Sequence, residues 1–484
     1  MIPLTLAEIA AATAGDISGN GAGNVPVTGP VVTDSRQAVP GALFAALPGE
    51  RVDGHDFAAA AARNGAAAIL AARPLPGAGA PVIVVSDVTL ALGMLARAVL
   101  RRLPGVTVVG ITGSSGKTST KDLTAQLVER LGPTIAPQDS LNNEIGLPLT
   151  VLRADETTKY LVLEMSARGI GHIAYLAGLA PPRIGAVLNV GRAHAGEFGS
   201  IDAVAKAKGE LVEALPPGVA GGVAVLNADD PNVAAMAART QARVVTTSAN
   251  PASAEATDPA SAEGSAAADV RASGVTLDDL GRASFTLHVR AESAPVTLRL
   301  HGAHHVANAL AAAAVAAELG MGVPAIAGAL SAATARSRKR MELHERPDGV
   351  LVVNDAYNAN PDSTRAAIEA LAHLTRGGRR GLAVLGYMAE LGDIATESHE
   401  EAGRLAARAG TAVIVAVGPG AAPVLDGARA EEGWQGEAIA VPDPKAATEA
   451  LRNRLRPGDV VLVKASKAAG LWVVADGLLA EDDQ

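Results

Sequence analysis

Short, continuous runs of β-branched and other apolar residues recur along this chain, each followed by a polar turn and then a helical stretch, and no other feature restricts its fold as strongly. The runs "VTVVGITG", "YLVLE", "IGAVLNV" and "GVAVLN" form one series; "GVLVVNDAYN", "GLAVLGYM", "AVIVAVG" and "DVVLVKAS" form a second. A strand that is apolar on every residue offers no face to water, so helices must cover it on both sides, which predicts α/β architecture with mostly parallel sheets. A shorter series, "PVVTDSR", "GALFAAL" and "PVIVV", comes first, with a helix expected over "FAAAAARNGAAAIL" and another ending at "VLRRLPG". Punctuation at Pro104 and Gly105 then divides the chain into a small α/β domain over 1–104, a central domain over 105–336 and a Rossmann-like domain over 337–484. Residues 248–268 almost lack bulky apolar side chains and are expected to form a flexible surface loop.

Composition removes several classes of function. With no cysteine, neither disulfides nor thiolate chemistry is available. The net charge of −9 comes without a basic block, which argues against nucleic acid as a partner, since phosphate neutralisation needs clustered Lys and Arg. The alanine-rich runs fall short of the roughly 18 to 20 apolar residues that span a bilayer, so no membrane insertion is expected. The start, "MIPLTLAEIAAATAG", has no positive segment ahead of an apolar core, and a cytoplasmic location is expected.

The chemistry is concentrated at "GITGSSGKT", between a strand and a helix. In that setting the backbone N–H groups of Gly113, Ser114, Ser115 and Gly116 and the helix start at Lys117, Thr118 and Ser119 form a cradle for phosphate oxygens. Lys117 would reach the outer phosphates of a nucleotide and Thr118 would offer a hydroxyl to Mg2+. Glu164 ends the strand "YLVLE", at the same sheet edge, where a carboxylate can hold a metal; the residue type alone fits a solvated strand end equally well. His194 lies in a glycine-flanked loop after the next strand and is either a ligand or a solvated side chain. Lys208, in "AVAKAKGELVEAL", is either an exposed helical cation or a lysine whose neutral amine adds CO2 to become an anionic carbamate. Arg cannot do that, and the chain holds nine lysines against 32 arginines. His304 and Asn308 share one helix face, as core hydrogen-bonding partners or as the wall of an adenine pocket. Arg340 follows, and Asp355, Asn358 and Asn360 gather at a strand tip, where Asn360 or Asp362 also suits a helix N-cap with Pro361 in the first turn.

The segments "GITGSSGKTST", "SLNNEIGLPLTVL", "LVLEMS", "AKAKGEL", "LNADDP", "HHVANAL" and above all "NDAYNANPDSTRAAI" resemble the Mur ligases, which build the stem peptide of peptidoglycan, and the resemblance runs through essentially the whole chain. Within the family it is nearest to the branch that adds D-alanyl-D-alanine. It implies three domains binding a UDP-sugar, ATP and the incoming dipeptide. The implied reaction is ATP-dependent amide formation between UDP-MurNAc-tripeptide and D-alanyl-D-alanine, in a monomer. The related ligase that adds the third stem residue, a P-loop phosphotransferase and a non-catalytic nucleotide-binding protein are the alternatives. Carried over by position, Lys117, Thr118, Arg340, Asn308 and Asp355 would contact ATP, while Glu164, His194 and a carbamylated Lys208 would join Thr118 around two Mg2+ ions. Ser35 and Arg36 fall in the uridine segment, Asn142 and Asn143 beside the muramoyl group, and Lys464 and Ser466 toward the dipeptide, with Asn358 counted among the substrate-binding residues. Ser166, Tyr387 and Ala465 stand where the family usually has Gly, an acidic residue and Gly.

Overall fold

The computed structural model describes residues 1–18, 22–49, 52–191, 198–250 and 267–480. They form three α/β units, each built on its own main sheet. The first sheet has five strands, with Val31–Val32, Leu43–Ala45, Ala68–Ala71 and Val82–Val84 parallel and Asp16–Ser18 antiparallel at the edge. Here one expectation fails: "FAAAAARNGAAAIL" is not a single helix. The helix Ala58–Arg63 stops before Asn64, and Gly65, at φ +106°, turns the chain into the buried strand Ala68–Ala71. Alanine favours helix, but a left-handed glycine and a segment buried on both faces override that preference.

The second sheet has nine strands and positions the site. Its parallel part runs Arg243–Ser248, Val223–Asn227, Ile184–Val187, Thr107–Thr112, Tyr160–Glu164 and Thr134–Ile135. Val270–Leu277 pairs in parallel with Arg243–Ser248, and Arg282–Val289 and Glu292–His301 then extend the sheet on that side as antiparallel strands. Chain order reverses around Thr107–Thr112: the next strands lie to one side and the later ones to the other. Such a switch point leaves a crevice beyond the strand tips where ligands of open α/β sheets bind.

The third sheet has six strands: Glu342–Glu345, antiparallel, then Leu351–Asp355, Val460–Lys464, Gly381–Gly386, Val413–Val417 and Glu437–Val441 in parallel. These last five are buried almost throughout, apart from the edge strand. Ala465 packs into the space left by Gly386, whose missing Cβ would lie 2.7 Å from the Ala465 methyl.

The first two units share a hydrophobic core. Leu92, Leu95 and Val99, from the helix Val88–Arg101, pack with Leu147, Val151 and Leu176 of the central unit. Among the described residues no helix is long and apolar enough to cross a membrane. The expected loop over 248–268 lies, apart from its ends, outside the described residues, as does His194.

Candidate functional site

The strand Thr107–Thr112 delivers the chain into the loop, and Gly116, at φ +78°, starts the helix Lys117–Val128. Gly116 is required twice over. The left-handed backbone disfavours any side chain, and a Cβ there would lie 2.5 Å from Oδ1 of Asn308. Ser114 and Ser115 are fixed from the neighbouring strand tip: Gly191 donates its N–H to Ser114 Oγ at 2.8 Å, and Ser115 donates its own to Asn189 Oδ1 at 2.8 Å. Asn189 escaped the sequence reading because an asparagine after a strand carries no local mark of such a bond.

Lys117 turns back onto the loop and donates to the Gly113 carbonyl at 2.7 Å. Burial pushes its pKa down; the Glu164 carboxylate opposes that shift and Arg340 adds to it. Thr118 donates to Glu164 Oε2 at 2.9 Å, and Asn142 donates to Glu164 Oε1 at 2.6 Å. Asn142, placed beside the muramoyl group from the resemblance, thus has its amide on the carboxylate, while the Asn143 side chain accepts from Gly146 N–H at 2.9 Å, at the start of the helix Gly146–Val151. Both still line the cavity.

Lys208 is 3% exposed, on the helix Ile201–Glu213, and not on the cavity wall. Among the described residues no hydrogen bond or ion pair reaches its ammonium, and burial, with the charge of Lys117, lowers its pKa well below the ordinary value. Asn308 is buried beneath the loop, its Oδ1 accepting from Thr120 at 3.2 Å. The His304 ring centre lies 4.2 Å from that of His305, the two rings tilted by 40°, and burial lowers the pKa of both.

The third unit closes the site. Arg340 reaches Ser140 of the central unit at 2.8 Å, and its guanidinium lies 4.4 Å above the Tyr357 ring. Tyr357, one of only four tyrosines, is a second residue that the motif contained but the site reading passed over. Asn360 is the N-cap of the helix Pro361–Leu374, with Pro361 first in the helix, and it also donates across to the Ser114 carbonyl at 3.4 Å. Asp355 accepts from Lys464 at 2.7 Å and from Met341 N–H at 3.1 Å. Lys464 also donates to the carbonyl of Asn358 at 2.9 Å, so its ammonium is held inside its own unit, although the residue borders the cavity. Ser466 is buried and accepts from Ala389 N–H at 2.9 Å.

These elements enclose a cavity of about 430 Å3 lined by Ser114 to Ser119, Glu164, Ser166, Asn308, Arg340 and Asp355 among others. Ser35 and Arg36 lie away from it in the first unit, Ser35 buried and Arg36 paired with Asp34 at the surface. Among the described residues no three His, Asp or Glu side chains converge as a ready metal cage. The Thr118 hydroxyl and Glu164 carboxylate do supply hard oxygen donors suited to Mg2+.

Gly116→Ala tests the cradle. It should cost about 1–3 kcal/mol of local strain and weaken ADP binding roughly tenfold or more by isothermal titration. Gly105→Ala, at a position with open space around it, should bind as the parent does.

Three family models match the chain: Mur ligase family, catalytic domain, over residues 30–99; Mur ligase middle domain over 111–316; and Mur ligase, glutamate ligase domain, over 339–467. The UDP-N-acetylmuramoyl-tripeptide--D-alanyl-D-alanine ligase of Mycobacterium tuberculosis is 49% identical, covering all of this chain and 99% of its own. Crystal structures of MurF from Acinetobacter baumannii (30% identity, TM-score 0.85, 99% of each chain) and of MurF ligase from Thermotoga maritima in complex with ADP (29% identity, TM-score 0.78, 94% of this chain and 98% of that one) have the same three-unit arrangement.

Proposed function

This chain belongs to the Mur ligase family, and we infer that it is the ATP-dependent ligase joining D-alanyl-D-alanine to UDP-MurNAc-tripeptide. The observation that carries the reading at the level of residues is the composition of one cavity's lining. Lys117 and Thr118 of the phosphate loop face Arg340 and Asp355 of the third unit across a space of nucleotide size.

An oxygen of the tripeptide's terminal carboxylate attacks the γ-phosphorus of ATP, the bond to the β–γ bridging oxygen breaks, and ADP leaves an acyl phosphate. The amine of D-alanyl-D-alanine then attacks the acyl carbon, loses a proton and expels inorganic phosphate. Two anions must approach each other in the first step, so its barrier is mainly electrostatic. Lys117 and Arg340 supply fixed positive charge on opposite sides of the γ-phosphate, and the loop N–H groups hold the phosphate chain. Thr118 and Glu164, with a carbamylated Lys208, would hold Mg2+, which when bound supplies further charge neutralisation. Asn308 carries the adenine contact on the same reading. Docking of the third unit excludes water that would hydrolyse the acyl phosphate.

The test is incubation of the protein with ATP, UDP-MurNAc-tripeptide and D-alanyl-D-alanine, with mass spectrometry of the product. The expected species is the tripeptide plus the dipeptide less water, with phosphate released only when both are present. Phosphate release with UDP-MurNAc-dipeptide and a single amino acid instead would assign the third-residue ligase. ADP formation without an amide product would assign a phosphotransferase.

A further inference from the structure

Ser140, the first residue of "SLNNEIGLPLTVL", is half-buried between the phosphate loop and the third unit. Its Oγ lies 2.9 Å from Thr118 Oγ1 and accepts from Arg340 Nη2 at 2.8 Å. The direction of each hydrogen follows from what the groups can do. The guanidinium has only donors, so it donates to Ser140; Thr118 gives its hydrogen to the Glu164 carboxylate; the Ser140 hydrogen is therefore the one that lies between the two hydroxyls. A single polar chain runs from Arg340 through Ser140 and Thr118 to Glu164, across the junction between the two units.

The loop carrying Ser140 is itself held in place. Lys121, 1% exposed and on the helix that begins at Lys117, donates to the carbonyls of Pro137 at 2.9 Å and Asp139 at 3.2 Å. Lys121 also contacts Ser337 Oγ, and Asp122 beside it accepts from Ser337 N–H at 2.9 Å, just ahead of Arg340. One helix thus sets both the serine and the segment leading to the arginine. On the other side, among the described residues, Ser140 is the sole hydrogen-bond partner of the Arg340 guanidinium, whose Nε is buried without an acceptor. Stacked on Tyr357 and tied once, the guanidinium keeps most of its donors uncommitted beside the cavity.

We propose that Ser140 is a positioning residue: its hydroxyl fixes Arg340 relative to Thr118, so that the third unit presents its cation to the γ-phosphate in one geometry. The proposal rests on the phosphate role given to Arg340 above. It predicts an effect on reaction geometry more than on nucleotide affinity.

The experiment is a double-mutant cycle on the full chain with ATP, tripeptide substrate and D-alanyl-D-alanine, reading single-turnover ADP formation and ADP affinity. Ser140→Ala should slow turnover on the order of tenfold to a hundredfold, the scale of a misplaced catalytic group, with the dissociation constant for ADP changed less than about threefold, the scale of 0.7 kcal/mol or less. Ser140→Thr, which keeps the hydroxyl, should restore most of the rate. In an Arg340→Ala background Ser140→Ala should have no further effect, because the group it positions is gone. If Arg340→Ala is slow but Ser140→Ala is not, or if Ser140→Ala costs as much without Arg340 as with it, the proposal is overturned while the wider functional reading stands. If Arg340→Ala itself reacts at the parent rate, the phosphate role of Arg340 falls first.

Discussion

Lys208→Ala is expected to slow ligation on the order of a hundredfold to a thousandfold, the scale lost when one preorganised charge-stabilising group is removed. Burial is the cause. An ammonium 3% exposed, with no partner among the described residues and with Lys117 as a nearby like charge, is held well below its ordinary pKa. A neutral amine is then accessible, and it is this form that attacks the carbon of CO2, releasing a proton and leaving a carbamate anion. Such an anion would balance Lys117 and offer oxygens to Mg2+. Removing dissolved CO2 should therefore slow the parent protein, and bicarbonate should restore it, while Lys208→Ala should respond to neither.

Stability should move in the opposite direction. With its folded pKa depressed, Lys208 binds fewer protons in the folded than in the unfolded state between that depressed value and the ordinary lysine value near 10.5. Across that window stability rises with pH, and it is lowest on the acid side, where the folded protein must carry the buried charge. Lys208→Met should thus melt at an equal or higher temperature than the parent at neutral pH in CO2-free buffer, though nearly inactive. A variant that stays active, or that is destabilised at neutral pH but not at high pH, would exclude the carbamate role.

What could be read from sequence divides by how local its cause is. The phosphate loop was legible because strand, glycines and helix start are contiguous, and Glu164 because a strand tip after an apolar run points to the same edge. Residue type and Pro361 narrowed the helix cap to Asn360 or Asp362, and the structure selects Asn360. Ser140 and Asn189 were not legible, since their partners are set by where Lys121 and a neighbouring strand place two loops. The helix expected over 57–70 failed because one left-handed glycine outweighed eight alanines. The hairpins over 270–301 do alternate along their strands, most clearly in "RASFTLHV", where half-buried and buried residues take turns, but that period-2 signal was hidden beside a polar stretch. Lys464 shows a further limit: the sequence placed it at a strand tip, but not whether its ammonium faced a ligand or Asp355.

That last pairing yields the second large effect. Lys464 is 2% exposed and Asp355 8%, and their contact of 2.7 Å joins adjacent parallel strands of the third sheet. Lys464→Met would leave the carboxylate buried with the Met341 N–H as its remaining donor, a loss that typically costs about 3–5 kcal/mol. Replacing both partners, as Asp355→Leu with Lys464→Met, should recover most of this, because neither charge then has to be desolvated. The chain provides a clean probe, since both of its tryptophans, Trp434 and Trp472, lie in the third unit. Urea unfolding followed by tryptophan fluorescence should show the midpoint of the single variant well below the parent and that of the double variant close to it. Equal midpoints for parent and single variant would mean that the pair contributes nothing net to this unit. The double variant should nevertheless ligate poorly, because Asp355 lines the nucleotide cavity in the proposed mechanism. Recovered stability without recovered activity would separate the two contributions of one side chain.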